Sequence, residues 1–463
     1  MLLSPTPELR TYRWMVLIAA VLMLLPLPVM QYIGEEGLMA IKSYEMFLSG
    51  DWLHTKALGM VFPHPPVWHW PVIVISQVLG WEHVDIAIRL VSVMATWMTA
   101  ALVGWMAYWL FPKDREVTAW LAALVYLSLG EVCFWYGWLG YIDALFGTFV
   151  FASIAALWKA MEDKHVLWLC AALIALSLAF LIKNITAYAM FFASALVLMI
   201  RLKRWALLKH PLFIILPLAS LAVPSLWQSW TSMGAAPQLA SSSLHDIALK
   251  FSNFDMAIAV NHWLTYPLVF WFRSLPLALF FVWLGLKYRQ RFQWYAPIVT
   301  VVWIVLICFM PFWLSPGGGP RYLIPLYGWI ALLLTGLLLQ LDRSRMRQSI
   351  RLIAFILILK VPYSLLILPY VKDQMPERNI KAVAHEIVQV VQGEPLRTQS
   401  DVANGLSIAA YIDVWQQDKP PIHWYDGHEK GVYILAEEAT PSFGRLVKTW
   451  RLRGSLVYLY HQD

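Results

Sequence analysis

Apolar stretches of about 20 residues recur along the chain from Tyr12 to about Pro369, and they constrain its fold more than any other feature. Each stretch is long enough to cross a hydrocarbon layer about 30 Å thick as a helix. Of the 463 residues, 60% are hydrophobic and only 14% are charged. Soluble domains carry roughly 25% charged residues. The sequence therefore predicts an all-α polytopic membrane domain.

We predict eleven membrane-spanning helices in this domain. Their expected bounds are 13–33, 86–111, 117–134, 139–158, 165–182, 184–200, 210–229, 265–286, 294–313, 321–340 and 350–370. Two long outer loops are expected at 34–85 and 230–264. The first loop contains SYEMFLSG, a short amphipathic pattern that is typical of a helix lying along the membrane surface.

Positive charge is distributed unequally between alternate loops. One set of loops holds most of the basic residues, including those in 201–209 and 343–351. Loops rich in Lys and Arg face the cytoplasm. We therefore predict a cytoplasmic N-terminus and an extracytoplasmic C-terminus. The net charge of +7 is explained by these loops, and no nucleic-acid partner is expected.

From Lys372 onward the composition becomes that of a soluble domain. The segment RNIKAVAHEIVQVV has helical periodicity, whereas GVYILAEE and SLVYLYHQ have the pattern of strands. We therefore predict two domains, a transmembrane domain at 1–371 and a small extracytoplasmic α/β domain at 372–463.

Three carboxylates lie at one predicted membrane face. Glu35 and Glu36 follow the first span directly, and Asp143 lies about one turn inside the fourth span. Ionisable residues at membrane depth are costly, so they are candidates for function. Two carboxylates at one depth suit a divalent metal site or a base that deprotonates an acceptor hydroxyl. The alternative for Asp143 is a structural hydrogen bond to a neighbouring helix.

Basic side chains are expected at the same depth. Lys183 lies between the fifth and sixth spans, and Arg321 lies where the glycine-rich segment SPGGGPRYLIPLY enters the tenth span. Arg and Lys are common partners of phosphate oxygens, and His64, between prolines, suits a metal or a phosphate. The alternative for Lys183 and Arg321 is a side chain that extends to the membrane interface without a further role. The alternative for His64 is an ordinary surface histidine. Arg273, inside the eighth span, has no assigned role, and each of the three carboxylates is a candidate partner for it.

Two segments, GEEGLMAIKSYEMFLSGDW and FPHPPVWHWPVIVISQVLGWEHVDIAIRLVSVMA, resemble the first outer loop and second helix of membrane glycosyltransferases with the GT-C fold. The bacterial relatives are those related to protein mannosyltransferases and to the lipid A aminoarabinose transferase. The resemblance covers about residues 1–340 in order. Its counterparts in this chain are Glu35 with Glu36, Ser49 to Trp52, His64 with Pro65 and Pro66, Asp143, Lys183, and Arg321 with Tyr322.

The chain departs from the family pattern at three places. Glu35 stands where the leading acid is usually Asp. Gly37 and Leu38 follow the acidic pair where a basic residue is common, and Pro63 stands where some relatives carry an acid that helps to bind metal. These departures leave the catalytic geometry and the metal open.

The resemblance implies an enzyme of a bacterial inner membrane that transfers a sugar from a polyprenyl-phosphate donor to an acceptor, with inversion at the anomeric carbon. The acceptor is a protein, a glycolipid or a glycan, and membrane lipids surround the donor chain. The implied catalytic residues are Glu35, Asp143 and Glu36. The implied donor-phosphate residues are Lys183, Arg321, His64 and Tyr322. A divalent cation is a candidate cofactor, with candidate ligands Glu35, Asp143 and His64.

Two other classes of function remain open at this point. Charged residues within membrane helices also mark the pathways of transporters, such as a flippase for lipid-linked sugars. The candidate charges, however, lie at one rim, and the sequence has no evident inverted repeat. In a non-catalytic assembly subunit, Asp143 and Lys183 would form a structural pair.

Overall fold

The computed structural model describes residues 6–62, 64–232, 255–288, 291–315, 319–373 and 375–463. Within these ranges the chain is mostly helical, and strands occur in a short hairpin and in the C-terminal part. Most of the expected outer loop at 230–264 lies outside the described residues.

The helices before the C-terminal domain are numbered in chain order. They are α1 (Pro7–Leu22), α2 (Glu36–Ser49), α3 (His69–Leu79), α4 (Val84–Leu110), α5 (Arg115–Ser128), α6 (Ile142–Asp163), α7 (Val166–Ile182), α8 (Thr186–Leu202), α9 (Leu212–Ser220), α10 (Ala222–Ser232), α11 (Met256–Arg273), α12 (Leu277–Tyr288), α13 (Ala296–Leu314), α14 (Ile324–Leu338), α15 (Arg343–Pro362) and α16 (Leu368–Asp373). An antiparallel hairpin of β1 (Thr55–Ala57) and β2 (Met60–Phe62) lies between α2 and α3.

The helical membrane domain that the sequence predicts is confirmed. In the described part of the chain, six helical segments are long and apolar enough to cross a membrane, or seven if α11 and α12 form one bent span. Three further apolar helices, α3, α7 and α8, are shorter. The number of eleven spans stays a prediction.

Two predicted spans differ in shape from the observed helices. The first was expected to continue to residue 33, but α1 ends at Leu22, and Pro26 and Pro28 follow it. Proline has no backbone N–H and interrupts helical hydrogen bonding. The expected span at 265–286 is divided into α11 and α12, which are bent by 96° at a break that contains Pro276.

Helix α6 lies at the centre of the membrane domain. Of the most apolar part of α6, 83% is buried inside the protein. The corresponding share for the segment that contains α9 and α10 is 6%. Helices α4, α7, α8 and α14 pack around it. Gly328 of α14 allows a close approach, because a Cβ atom there would lie 2.7 Å from the Phe151 ring of α6.

Helix α2 contains the segment that was expected to lie along the membrane surface. The helix forms, but most of its residues are buried, and it packs against α3 and α4 as well as against the C-terminal domain. The C-terminal domain therefore covers one face of this helix, and the location of the helix along the membrane surface stays a prediction. The helix ends at Gly50, whose φ of 64° is a left-handed conformation that favours glycine.

The C-terminal domain combines two helices with a five-stranded sheet. Its elements are α17 (Ile380–Val391), β3 (Leu396–Thr398), α18 (Ala403–Trp415), β4 (His423–Trp424), β5 (Val432–Ala436), β6 (Arg445–Leu452) and β7 (Ser455–Gln462). The strand order is β4-β3-β5-β7-β6. Strand β3 is parallel to β4 and β5, and β7 is antiparallel to β5 and β6. The predicted α/β domain is confirmed, and its boundary at 371 stays a prediction.

The two domains share an interface in which α18 packs against α2. The Tyr32 N–H donates to the Tyr411 hydroxyl at 2.9 Å, and their rings stack with centres 4.3 Å apart. Nearby, Lys381 Nζ lies 3.0 Å from Asp85 Oδ2. The start of α2 is therefore held by contacts from both domains.

The two domains approach each other closely at Gly37. A Cβ atom there would lie 2.6 Å from the Ser407 Cα atom, so a side chain has no space without a backbone shift. We expect Gly37→Ala to destabilise the protein by about 1–3 kcal/mol, because overpacking forces neighbouring elements apart. The measurements are the melting temperature and the rate of protease cleavage of the C-terminal domain.

Gly285→Ala is the matched control, because a Cβ atom at Gly285 of α12 meets nothing within 4 Å. Alanine has the higher helix propensity, so this control is expected to leave stability unchanged or slightly raised. Equal melting temperatures for the Gly37→Ala and Gly285→Ala proteins would contradict the tight interface.

Candidate functional site

Glu35 occupies the N-terminal cap position of α2 and forms a two-point ion pair with Arg321. Arg321 Nη2 donates to Glu35 Oε1 at 2.8 Å, and Nη1 lies 2.8 Å from Oε2. The Glu35 side chain is 45% exposed. Two-point pairing fixes the orientation of both groups. Glu35 is therefore an oriented carboxylate that solvent still reaches.

The turn before α2 places Glu35 beside α6. Gly34 has a φ of 58°, and a Cβ atom there would lie 2.3 Å from the Tyr141 hydroxyl, so the position requires glycine. The Tyr141 hydroxyl accepts a hydrogen bond from the Glu35 N–H at 3.1 Å and donates to the Ile33 carbonyl at 3.0 Å. This tyrosine therefore holds the backbone on both sides of Gly34.

Asp143 lies in the first turn of α6 and is paired with Lys183. The Asp143 side chain is 2% exposed, and the Lys183 ammonium, at the end of α7, donates to its Oδ1. The same ammonium lies 4.4 Å from the centre of the Tyr322 ring and 5.3 Å from that of Phe146. Cations bind favourably over aromatic faces. Lys183 therefore connects Asp143 to the segment that carries Arg321.

The two ion pairs form one group of charges. Arg321 interacts electrostatically with Asp143 as well as with Glu35. Its guanidinium carbon lies 5.4 Å from the centre of the Tyr322 ring. We call Glu35, Asp143, Lys183, Arg321 and Tyr322 the charged cluster. These five residues are all ones that the sequence predicted for the site.

His64 lies beside a buried lysine that the sequence did not assign to the site. Lys42 Nζ lies 3.3 Å from His64 Nδ1. An ammonium can only donate, so Nδ1 accepts and the ring proton is assigned to Nε2. The Lys42 charge, followed by burial, lowers the pKa of His64 to about 3, and the ring is therefore neutral.

Lys42 connects His64 to the charged cluster. Burial lowers the pKa of Lys42 to about 8, and its electrostatic interaction with Glu35 acts in the opposite direction. Lys42 lies two helical turns after Glu35 on α2. Lys42 therefore supplies a basic side chain near Glu35. In this chain no basic residue follows directly after the acidic pair Glu35 and Glu36.

Glu36 has a different environment from its neighbour Glu35. Its side chain has an exposure of 0%, and it forms a two-point pair with Arg89, with Nε–Oε1 and Nη2–Oε2 distances of 3.0 and 2.6 Å. The N–H groups of Gly140 and Ile33 donate to the same carboxylate. Arg89 also donates to the carbonyls of Leu27, Met30 and Gln31. This network is closed to solvent.

Arg273, which had no partner in the sequence analysis, pairs with Glu131. Tyr136 adjoins this pair and the charged cluster, because it interacts electrostatically with Glu131, Arg273, Arg321 and Asp143. The Arg273 guanidinium lies 6.0 Å from the centre of the Tyr136 ring. A further ion pair therefore borders the charged cluster.

Sequence reasoning missed Lys42, Arg89 and Glu131 as parts of this region. The last two were detectable as charges at the ends of predicted spans, at 86–111 and 117–134. Their partners were not detectable, because Arg89 and Glu36 are 53 residues apart and Glu131 and Arg273 are 142 apart.

Part of the predicted glycine-rich loop and one family position lie outside the described residues. These are Gly317, Gly318 and Pro63. Gly319 is described, and its carbonyl accepts a hydrogen bond from the Tyr266 hydroxyl at 3.3 Å.

The three candidate metal ligands each face a basic side chain. The pairs are Glu35 with Arg321, Asp143 with Lys183, and His64 with Lys42. Among the residues that the structure describes, no three His, Cys, Asp or Glu side chains form a group that suits a metal ion. In this arrangement the residues do not fit a divalent cation, because the neighbouring positive charges repel it.

The chain is similar in sequence to several bacterial transferases. Over 334 residues it is 28% identical to undecaprenyl phosphate-alpha-4-amino-4-deoxy-L-arabinose arabinosyl transferase of Pseudomonas aeruginosa strain UCBPP-PA14, with 69% of this chain and 58% of the relative covered. Over 317 residues it is 28% identical to undecaprenyl phosphate-alpha-4-amino-4-deoxy-L-arabinose arabinosyl transferase 2 of Sodalis glossinidius. This match covers 63% of this chain and 53% of the relative. The matched region thus spans less than two thirds of these curated relatives. No family model matches the chain.

The fold is similar to that of ArnT from Cupriavidus metallidurans. The crystal structure of ArnT bound to undecaprenyl phosphate has a TM-score of 0.72 and 16% sequence identity, and 96% of this chain and 97% of that chain are covered. The apo structure of ArnT has the same TM-score, with 97% and 98% covered.

The chain therefore has the fold of the GT-C membrane glycosyltransferases, as the sequence resemblance predicted. The relatives in sequence reported above are named undecaprenyl phosphate-aminoarabinose arabinosyl transferases, and the solved structure with the similar fold is that of ArnT. The apolar helices and these relatives together indicate a multi-pass protein of the inner membrane.

Proposed function

We propose that this protein transfers a sugar from a polyprenyl-phosphate donor to an acceptor hydroxyl at the extracytoplasmic membrane face. The observation that carries the proposal is the charged cluster, in which an exposed carboxylate, Glu35, stands beside Arg321 and near Lys183. The fold of ArnT and the names of the relatives support the same class of reaction. Those names make undecaprenyl phosphate-linked 4-amino-4-deoxy-L-arabinose the first donor to test.

In the proposed reaction, Glu35 accepts the proton of the acceptor hydroxyl. The acceptor oxygen forms a bond to the anomeric carbon, and the bond between that carbon and the phosphate oxygen breaks, which inverts the centre. Polyprenyl phosphate leaves with the bonding electrons. Glu35 suits the role of base better than Asp143, because their side chains are 45% and 2% exposed. A base must reach the proton that it removes.

Basic groups stabilise the charge that develops on the leaving phosphate. Lys183 and Arg321 supply fixed positive charges, and neutral His64 supplies the Nε2–H as a donor beside Lys42. Donors placed in advance at the position of developing charge are a large term in enzyme catalysis. Tyr322 holds the Lys183 ammonium over its ring and acts as a positioning residue.

Glu36 acts as a positioning residue in this proposal. Its carboxylate binds Arg89, the Ile33 N–H just before α2 and the Gly140 N–H just before α6. The network fixes the backbone that carries the base. Asp143 has a similar supporting role for the Lys183 ammonium.

The decisive experiment measures sugar transfer by the purified full chain from a panel of radiolabelled polyprenyl-phosphate donors. Label that moves to water or to an added acceptor establishes the transferase and identifies its sugar. An absence of turnover with every donor, together with donor movement between liposome leaflets, overturns the proposal in favour of a flippase.

A parallel arm of this assay contains EDTA. The sequence made a divalent cation a candidate cofactor, but its candidate ligands face Arg321, Lys183 and Lys42. We therefore expect turnover to be unaffected by EDTA. A loss of turnover that Mg²⁺ or Mn²⁺ restores would show that donor binding rearranges these pairs around a metal.

The affinity for the donor is expected to depend on pH through Lys42. Its pKa is lowered to about 8 by burial, so the side chain is charged below that pH and neutral above it. Donor KM should therefore rise as the pH increases from about 7 to about 9, because a positive charge near the phosphate is lost. Lys42→Arg should remove this rise, since arginine stays protonated.

His64 provides the contrast to Lys42. Its pKa of about 3 leaves the ring neutral through this range, so protonation of His64 contributes no change in KM between about pH 5 and about pH 8. A KM that is flat in the wild type across the Lys42 range would contradict a role for Lys42 in phosphate binding.

We propose that the N-terminus is cytoplasmic and that the C-terminal domain is extracytoplasmic. The basic loops at 201–209 and 343–351 support this orientation. Single cysteines in these loops and in the C-terminal domain, labelled by an impermeant reagent in intact cells, test it. Labelling of the loops in place of the domain would reverse the assignment.

A further inference from the structure

The C-terminal domain contains a pocket that shares no residue with the charged cluster. It has a volume of about 290 Å³ and lies between α17, α18 and the loops that flank β3 and β4. Aliphatic side chains form much of its wall, including Val388, Val391, Ile412 and Ile422. Sites for small molecules begin at roughly 300 Å³ and combine apolar walls with a few polar groups. The volume suits one small ring.

Asp413 lines this pocket and has one unpaired polar atom. The residue is 5% exposed, and its Oδ1 accepts a hydrogen bond from the Ile422 N–H at 2.8 Å. Its Oδ2 is buried and has no hydrogen-bond partner among the described residues. Buried polar atoms are nearly always paired, so an unpaired one requires an explanation.

The protonation of Asp413 narrows the choice of partner. Burial raises the pKa of this carboxyl well above its usual range, and the Ile422 hydrogen bond only partly opposes the shift. The neutral form of a carboxyl donates and accepts hydrogen bonds, whereas the ionised form only accepts them. A hydroxyl group both donates and accepts hydrogen bonds, so it complements the neutral and the ionised carboxyl of Asp413. An ammonium group or an anion complements only one of these two forms.

Lys419 supplies positive charge at the pocket. In the described ranges, no acidic side chain lies within 4.0 Å of its ammonium, whose nitrogen is 3.3 Å from where a Gly393 Cβ would stand. The other charged groups that line the pocket are already engaged. Arg397 Nε lies 2.7 Å from Glu429 Oε2, and Glu394 Oε2 lies 3.5 Å from His461 Nε2.

We propose that this pocket binds one monosaccharide unit that carries an anionic group, with Asp413 contacting a ring hydroxyl and Lys419 contacting the anion. The aliphatic wall packs against the C–H face of the sugar ring. The site is separate from the charged cluster, and its existence does not depend on the proposed transfer reaction.

Calorimetric titration of the full chain in detergent tests this site with four probes, namely glucuronate, methyl glucuronoside, glucose and inorganic phosphate. We expect glucuronate to bind at least about tenfold more tightly than glucose or phosphate, because only glucuronate engages both polar groups. If methyl glucuronoside binds as tightly as glucuronate, the natural ligand is a sugar residue of a glycan. If the pocket does not bind methyl glucuronoside, the natural ligand is a free sugar acid. Either result supports the site.

Two variants assign the binding to the pocket. Lys419→Gln should weaken glucuronate at least about fivefold and leave glucose unchanged, because it removes only the charge. Asp413→Asn should weaken both, since the amide keeps the Ile422 hydrogen bond but presents a group that only donates. The matched controls are Asp418→Asn and Lys430→Gln, which are exposed residues outside the pocket.

Three results overturn the proposal. They are no heat of binding at about 10 mM glucuronate, binding of phosphate as tight as that of glucuronate, and binding that neither pocket variant changes. Because none of these measurements uses sugar transfer, failure of this site and failure of the proposed transferase are distinguishable.

Discussion

Glu35→Gln is expected to lower the kcat of sugar transfer by about 10²- to 10⁴-fold while the yield and melting temperature stay near those of the wild type. The amide oxygen still accepts a hydrogen bond from Arg321, so the local structure persists. The amide does not take up a proton from the acceptor. The measurements are steady-state transfer rates and thermal unfolding of the purified variant.

Asp143→Asn should affect a different kinetic constant. It leaves the Lys183 ammonium without its charged partner, so we expect donor KM to change more than kcat. Glu116→Gln, in an exposed pair with Arg13, is the control for the amide substitution. Transfer within a few-fold of the wild type in both cluster variants would overturn the assignment of this site.

Glu36→Gln is expected to destabilise the protein by about 3–5 kcal/mol, because it leaves Arg89 buried without its negative partner. The carboxylate accepts from Arg89 and from two backbone N–H groups, and an amide nitrogen accepts from none of them. The measurement is thermal unfolding in detergent, monitored by the fluorescence of the intact protein.

The exposed pair of Arg13 and Glu116 is the comparison for this effect. Exposed pairs contribute about 0–1 kcal/mol, so Glu116→Gln should leave the melting temperature nearly unchanged. A Glu36→Gln protein that melts together with the Glu116→Gln protein would show that the buried network contributes little to stability.

The sequence was sufficient to predict the membrane class, the C-terminal domain and the residues of the charged cluster. Each clue is local. A charge such as Asp143 is conspicuous within an apolar segment because burying it is costly wherever the rest of the chain lies. The strand patterns of β5 and β7 are likewise readable from alternation within a few residues.

The sequence was not sufficient to separate Glu35 from Glu36. Both are adjacent carboxylates with the same local signal, but successive residues on a helix point about 100° apart. One carboxylate faces Arg321 and solvent, and the other faces Arg89 in a closed network. Their partners lie 286 and 53 residues away, and only the folded chain reveals them.

The element that covers the apolar face of α2 was also not predictable from the local sequence. Its amphipathic pattern correctly predicts a helix with one face to bury, but the pattern does not identify what covers that face. The covering helix, α18, begins at Ala403, and no feature near Tyr44 indicates it.

The interface between α2 and α18 has a consequence for biosynthesis. The hydrogen bond from Tyr32 to Tyr411 joins residues 379 positions apart, so the segment before α2 leaves the ribosome long before its partner is synthesised. Contacts between distant segments form late, because the loop between them must close first. The segment that leads into Glu35 therefore makes its contact with α18 only after Tyr411 has been synthesised. A chain that is truncated before Ala403 would keep the partners Tyr141 and Arg321 of its candidate base, but it would lack the helix that packs against α2.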